Sequence, residues 1–332
     1  MRRSAASVVL ASIALQLLAA CSSPSDTGES KNKSSVTLLA YDAFTPQDGI
    51  FDSFTAETGI EVKVVTGGDT GMLVSKAILT AGNPEADVLW GVDNTFLARV
   101  QEAHVLDSYE PVDTGDVCIN LHDSYFEKAG LAKPANLDDL VDPAYKDLLV
   151  VQDPRTSSPG LAFLLATIAT YGDDGWRDYW SRLRANGVKI VNDWTTAYTV
   201  EFSGSSGKGP RPLVVSYGSS PPAEVLYSDP PVTVPPTSVM ESSCFRQTEY
   251  VGRLRGTKNT TSADKLIDFL LSKTFQESLP LSLFVFPVNE SAALPDVFQK
   301  FAVKPAHPLV LDAETIAQNR ETWIEQWADS AL

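Results

Sequence analysis

Along most of the chain, short apolar runs alternate with segments whose apolar residues recur every three to four positions. Residues 36–41 read as a strand, 51–58 as a helix, 60–65 as a strand, 72–81 as a helix and 86–90 as a strand. The rhythm resumes with strands at 148–151, 188–191 and 212–217, a helix over 161–171 and another after Pro222. Such alternation predicts an α/β sheet. Further on, Thr261, Ser262, Ala263 and Asp264 resemble a capping box, after which Leu266, Phe269 and Leu270 share one helical face. Trp323 and Trp327, four apart, are expected to pin the last helix to the body. No internal repeat occurs at a fixed period.

The N-terminus follows a different pattern. Arg2 and Arg3 precede an apolar stretch over 8–20, and Leu18-Ala19-Ala20-Cys21 closes it. A basic start, a short apolar stretch and small residues before the cut make a secretion signal, too short to span a bilayer comfortably. A cysteine directly after two alanines resembles a lipobox, whose cysteine takes a diacylglyceryl group and becomes the new N-terminus. Residues 22–35 are polar and nearly free of apolar side chains, so they read as a flexible tether. Removing residues 1–20 from the 332 leaves 312, enough for two lobes of ordinary size. The formal charge of -16 includes Arg2 and Arg3, and the leader holds no acids, so the mature chain stands at -18. Nucleic acid is thereby an improbable partner, and solubility outside the cytoplasm is the plainer reading of the acidity.

With Cys21 assigned to lipid, Cys118 and Cys244 remain as an even pair in an oxidising compartment and are expected to form a disulfide. The sharper alternative is a thiolate nucleophile at Cys118, with His122 nearby. Nothing in the spacing of His104, His122 and His307 supplies the base that it needs. No close metal-ligand pair is present in the sequence.

Three junctions share one chemistry: Gly67-Gly68-Asp69-Thr70-Gly71, the run from Asp153 to Gly160, and Tyr217-Gly218-Ser219-Ser220-Pro221-Pro222. Each puts small hydroxyl or glycine residues where a strand ends and a helix begins, leaving amide N–H groups and the helix dipole facing outward. Ser158-Pro159 and Ser220-Pro221 fit an N-cap followed by proline. One such loop is ordinary capping; three at the carboxyl ends of one sheet point to a ligand crevice. Aromatic residues stand beside the same ends: Tyr41, Trp90, Trp194, Tyr198, Tyr217, Phe284 and Phe286. Trp90 and Phe286 are assigned first to packing. Trp194, flanked by polar residues, is the leading candidate for stacking, and an aromatic face over a desolvated cation contributes about 2 kcal/mol. Asp69 and Asp93 add carboxylates toward the same charge, or cap locally.

The motifs Tyr41-Asp42-Ala43-Phe44, Gly91-Val92-Asp93-Asn94, Gln152-Asp153-Pro154-Arg155-Thr156-Ser157-Ser158-Pro159-Gly160, Asp193-Trp194-Thr195-Thr196-Ala197-Tyr198 and Val215-Ser216-Tyr217-Gly218-Ser219-Ser220-Pro221 occur in this order. Together they resemble the thiamine-binding substrate-binding proteins of ABC importers, from about residue 36 to 327. The resemblance implies a two-lobed α/β fold, the periplasmic-binding-protein type II fold, with the chain crossing between lobes twice and a hinged ligand cleft. It divides the mature chain into a first lobe of 36–112 plus roughly 246–287 and a second of 113–245 plus roughly 288–332. By that likeness Tyr41, Asp69 and Thr70 come from the first lobe, and Ser158, Gly160, Trp194, Tyr217 and Ser220 from the second. Phe284 stands where relatives can carry tryptophan. Thiamine joins an aminopyrimidine to a cationic thiazolium and ends in a hydroxyl or phosphate. Trp194 and Tyr217 are expected on its rings, Asp69 against its charge, and Ser158 with Gly160 at its tail. The likeness implies a monomer with no cofactor and no catalysis, delivering thiamine or a thiamine phosphate to a permease and ATPase, and held to the membrane only by lipid. The alternatives are a same-fold receptor for iron, a polyamine or an aminophosphonate, and a thiaminase-like enzyme using a cysteine.

Overall fold

The computed structural model describes residues 34–204 and 208–332. The leader, Cys21 and most of the tether lie outside them. Eleven strands are described: β1 Ser34–Ala40, β2 Ile60–Thr66, β3 Val88–Asp93, β4 Leu106–Thr114, β5 Val117–His122, β6 Leu149–Gln152, β7 Lys189–Val191, β8 Leu213–Tyr217, β9 Thr237–Phe245, β10 Thr248–Leu254 and β11 Phe286–Pro287. They form two sheets, ordered β11-β4-β10-β3-β1-β2 and β7-β6-β8-β5-β9. The helices are α1 Asp52–Thr58, α2 Thr70–Leu79, α3 Leu97–Glu102, α4 Asp123–Ala129, α5 Ser158–Ala185, α6 Pro221–Tyr227, α7 Thr260–Leu270, α8 Lys273–Gln276, α9 Leu279–Ser282, α10 Asp296–Phe301 and α11 Ala313–Ala331.

The apolar run 36–40 of β1, interrupted only by Thr37, has a physical reason. Val36, Leu38 and Ala40 pack with Leu266 and Leu270 of α7, while Leu39 packs with Leu73 and Val74 of α2 on the opposite face. A strand covered on both faces loses the polar alternation of a half-exposed one. Ser34 and Ser35, read from sequence as tether, instead open β1, because their backbones pair with Ile60 and Glu61 of parallel β2.

The helix expected over 161–171 runs far past Tyr171. Gly172, at φ 65 and ψ −179, kinks α5, and a second helical segment buries Trp176, Tyr179, Trp180 and Leu183. Trp180 meets Trp327 of α11 edge-on, with ring centroids 5.6 Å apart, and Trp323 and Trp327 are both buried as expected. The capping box at Thr261 does not form. Asn259 takes the N-cap position of α7 without a side-chain bond, and Asp264 turns to Arg253, 2.7 Å away.

The chain passes from the first sheet to the second at 115–116 and returns at 246–247. A third passage follows β11, since Val303 and Leu309 bond to Gly218 and Cys244. After it the C-terminal helix α11 packs along α5. At the first two crossings Arg246 Nε lies 2.7 Å from Asp116 Oδ1 and Gly115 N–H donates to Gln247 O at 3.2 Å. Beside them Cys118 and Cys244 are joined, clipping β5 to β9. The expected disulfide is therefore present, and the sulfur of Cys118 is committed to it and buried.

Candidate functional site

The three junctions converge. The 67–71 loop precedes α2, the 153–160 loop precedes α5 and the 217–222 loop precedes α6; together with the turn at 282–285 they surround a cavity of about 720 Å³. That volume lies within the range of small-molecule sites. Of the sequence-predicted residues, Tyr41, Asp69, Thr70, Ser158, Trp194, Tyr198, Tyr217, Ser220 and Phe284 line it.

Asp93 and Gly160 do not. The side chain of Asp93 is fully buried at the end of β3, where Oδ1 accepts from the Thr95 and Phe96 amides and the Thr95 hydroxyl and so closes the turn into α3. Burial pushes its carboxyl up to about 6. Gly160 packs instead: a Cβ there would sit 2.5 Å from Gln152 O, so only glycine lets α5 start this close to β6. The capping geometry also differs. Ser157, not Ser158, holds the N-cap position of α5 and makes no side-chain cap bond. Ser220 holds that of α6, but its hydroxyl pairs with Ser216 Oγ at 2.9 Å and accepts from Tyr217 N–H at 3.2 Å. The cleft hydroxyls are thus used sideways, across the crevice floor.

The aromatic wall is built from one irregular segment. Residues Thr196–Glu201 form a π-helical turn, which sets Trp194 and Tyr198 face to face with centroids 4.9 Å apart and planes 14° apart. Trp194 Nε1 donates to Ser216 Oγ at 3.0 Å, fixing the indole, and Tyr217 adds a tilted ring at 6.4 Å. Tyr198 donates to buried Glu224. Phe284, with φ 55, presents its ring to Tyr227 at 5.9 Å. Across the cavity the ring of Tyr41 occupies the space that a side chain at position 91 would fill, and Gly91 with φ +91 leaves it free.

Charge in the lining is one-sided. Asp42, Asp69, Asp193, Glu224 and Glu249 contribute carboxyl groups, and among the described residues no Lys, Arg or His lines the cavity. Burial raises the Asp69 carboxyl, which accepts from Thr70 N–H at 2.6 Å and Trp194 N–H at 3.0 Å. Burial, then the charge of Glu249, raises both Tyr41 and Tyr217 well above the ordinary phenol range. Glu249 and Glu224 escaped the sequence reading. A lone acid carries no local signal; only its burial against an aromatic ring marks it.

The two lobes touch at the rim. Asp69, from the first, receives the Trp194 amide of the second; Gly71 N–H donates to Thr156 O at 2.9 Å, Ser158 Oγ to Thr70 Oγ1 at 3.3 Å, and Ser219 Oγ to Phe284 O at 2.6 Å. Polar groups thus bridge a cavity with an aromatic wall between two halves joined by paired strands.

Residues 85–319 match the family described as bacterial extracellular solute-binding protein. The chain belongs to this family. Among similar proteins, the thiamine-binding periplasmic protein of Salmonella typhimurium is 28% identical over 336 residues, covering 94% of this chain and 97% of that one. The thiamine-binding periplasmic protein of Brucella suis is 27% identical, over 89% and 91%. A solved structure of a periplasmic thiamin binding protein superimposes with a TM-score of 0.80 at 26% identity, over 91% of this chain and 98% of that one. The type II two-lobed fold expected from the motifs is therefore that of this solute-binding protein. Among the described residues no helix is long and apolar enough to cross a membrane.

Proposed function

We propose that this solute-binding protein captures thiamine and delivers it to an ABC permease and its ATPase, without altering it. The observation that carries this reading is the lining: among the described residues, stacked and tilted aromatic rings, five carboxyl groups and no basic side chain around about 720 Å³. A flat heterocycle with a permanent positive charge gains from both ring faces and carboxylates. Trp194 and Tyr217 would contact the rings, Asp69 the charge, and Ser158 with Ser220 the polar tail. A lining that holds no Lys, Arg or His among the described residues favours the hydroxyl form over the phosphates, since a phosphate would there meet helix N-termini and not a cation. The similarity to thiamine-binding periplasmic proteins over nearly the whole chain supports the same ligand.

In this reading no cofactor takes part, the mature protein is a monomer anchored through lipid on Cys21 at the outer face of the cell membrane, and nucleic acid is no partner. The lobes are 36–112 plus roughly 246–287 and 113–245 plus roughly 288–332. The thiaminase-like alternative loses its nucleophile, because the Cys118 sulfur is bonded to Cys244. Titration of tryptophan fluorescence with thiamine, wild type against Trp194→Ala, tests the proposal. A saturable response in the wild type, lost or weakened at least tenfold in the variant, is expected for a stacking residue. A wild type that does not respond refutes the ligand.

A further inference from the structure

Asp93, Glu249 and Asp113 form one rung across three neighbouring strands: Glu249 of β10 pairs in register with Asp93 of β3 on one side and Asp113 of β4 on the other. Beyond Asp113 stands Pro287 of β11, which has no N–H to offer. The three side chains are 0%, 3% and 0% exposed. Their partners differ sharply. Asp93 is held by the Thr95 and Phe96 donors and feels the Arg320 guanidinium of α11. Asp113 meets no N–H or O–H donor on either oxygen among the described residues. Its polar neighbour is the carboxyl of Glu249. No ion pair among the described residues reaches Asp113 or Glu249.

Two carboxyl groups facing each other out of water, with no cation beside them, cannot both ionise. A shared proton makes one a donor to the other and removes the repulsion. The groups that face this pair from the packed elements are Tyr41 at the end of β1, which donates to Glu249 Oε2 at 3.2 Å, Asp93 of β3 with Arg320 behind it, and Tyr217 of β8. Both tyrosines are held neutral by burial. Glu249 alone of the rung opens on the cavity.

We propose that Asp113 and Glu249 hold one proton between them when no ligand is bound, and that Glu249 selects a cationic ligand by exchanging that proton for the ligand's charge. The O–H bond of the pair breaks, the proton leaves to solvent, and the carboxylate that remains faces the cation. Only the choice of thiamine as the probe depends on the function proposed above. Burial raises both the Asp113 and the Glu249 carboxyl above the usual carboxylate range, the direction that lets the pair keep a proton. Because the ligand-free form carries the extra proton, affinity rises with pH, by close to tenfold per unit below the pair's own titration.

The full-length protein serves for two measurements. Difference potentiometry without ligand, wild type against Asp113→Asn, is expected to show one proton of the wild type titrating between about pH 6 and 9 that the variant lacks; coincident curves overturn the shared proton. Calorimetry with thiamine near pH 7, in buffers of different ionisation enthalpy, is expected to show close to one proton released per ligand by the wild type and none by Asp113→Asn. Glu249→Gln is expected to weaken thiamine at least tenfold and to abolish its pH dependence. Binding with equal proton release in all three proteins overturns the inference. A complete lack of thiamine heat from the wild type refutes the ligand instead, and the titration still decides the pair.

Discussion

Gly71 is the residue at which closure of the cleft can be tested without touching a ligand group. It sits in the first turn of α2, inside an ordinary helix, so alanine is acceptable to its own lobe and is favoured over glycine by about 1 kcal/mol in a helix. Across the cleft the added Cβ would lie 2.7 Å from Arg155 O and 2.8 Å from Thr156 Cα. Those atoms are backbone, held by the Thr156 and Ser157 amides on Asp153 O, and cannot swing aside as a side chain would. The lobes would have to part, stretching the Gly71 to Thr156, Ser158 to Thr70 and Trp194 to Asp69 hydrogen bonds together. At about 0.5–1.5 kcal/mol each, losing three costs roughly 1.5–4.5 kcal/mol, or between about tenfold and a thousandfold in Kd. Fluorescence titration with thiamine gives the Kd, and thermal unfolding without ligand gives the control. Gly71→Ala is expected to raise Kd by at least about tenfold while moving the ligand-free Tm by no more than a few degrees. A Kd within twofold of wild type would refute the view that this contact belongs to the ligand-holding state.

Three further outcomes follow from the packing. Asp113 holds its proton in the folded chain up to about pH 8 but releases it near pH 4 when unfolded, so the folded state carries more protons across that window and stability declines as pH rises through it. Asp113→Asn removes that decline: its Tm is expected to exceed the wild type's at pH 8 by more than at pH 4, and an equal difference at both would contradict a buried, raised carboxyl. The disulfide closes a separation of 126 residues, and replacing Cys118 and Cys244 together by alanine is expected to lower the unfolding free energy in urea by about 2–5 kcal/mol, as should reduction. Trp327→Ala is expected to cost about 3–5 kcal/mol, since its fully buried ring meets Trp180 and lies 5.7 Å below the Arg155 guanidinium of the cleft loop; a loss below about 1 kcal/mol would mean that α11 is held elsewhere.

How legible each part was in the sequence depended on the range of the force behind it. The strands at 36–41 and 212–217 could be read because strands buried on both faces demand apolar runs, and 60–65, an outer and largely exposed strand, because its β-branched residues favour extended backbone. The loops before α2, α5 and α6 could be read because glycine, serine and proline at a strand-to-helix turn answer to local backbone geometry. By contrast β4, β5, β9 and β10, which carry the chain between lobes, left little trace. β4 is interrupted by Glu110, Pro111 and Asp113, and β10 by Glu249, so neither shows an apolar alternation. Glu110 is exposed, whereas Asp113 and Glu249 are buried against each other on strands that the fold brings together from distant parts of the chain.

Composition and order of motifs were enough for the fold class, the paired cysteines, the acidic character and most of the lining, because each depends on residues close in sequence or on simple counts. Tertiary structure alone decided that Asp93 and Gly160 face away from the cavity, that Glu224 and Glu249 face it, and that Asp113 lies against Glu249. Which way a side chain turns, and what buries it, depends on how strands, helices and loops pack together, and no short segment can carry that.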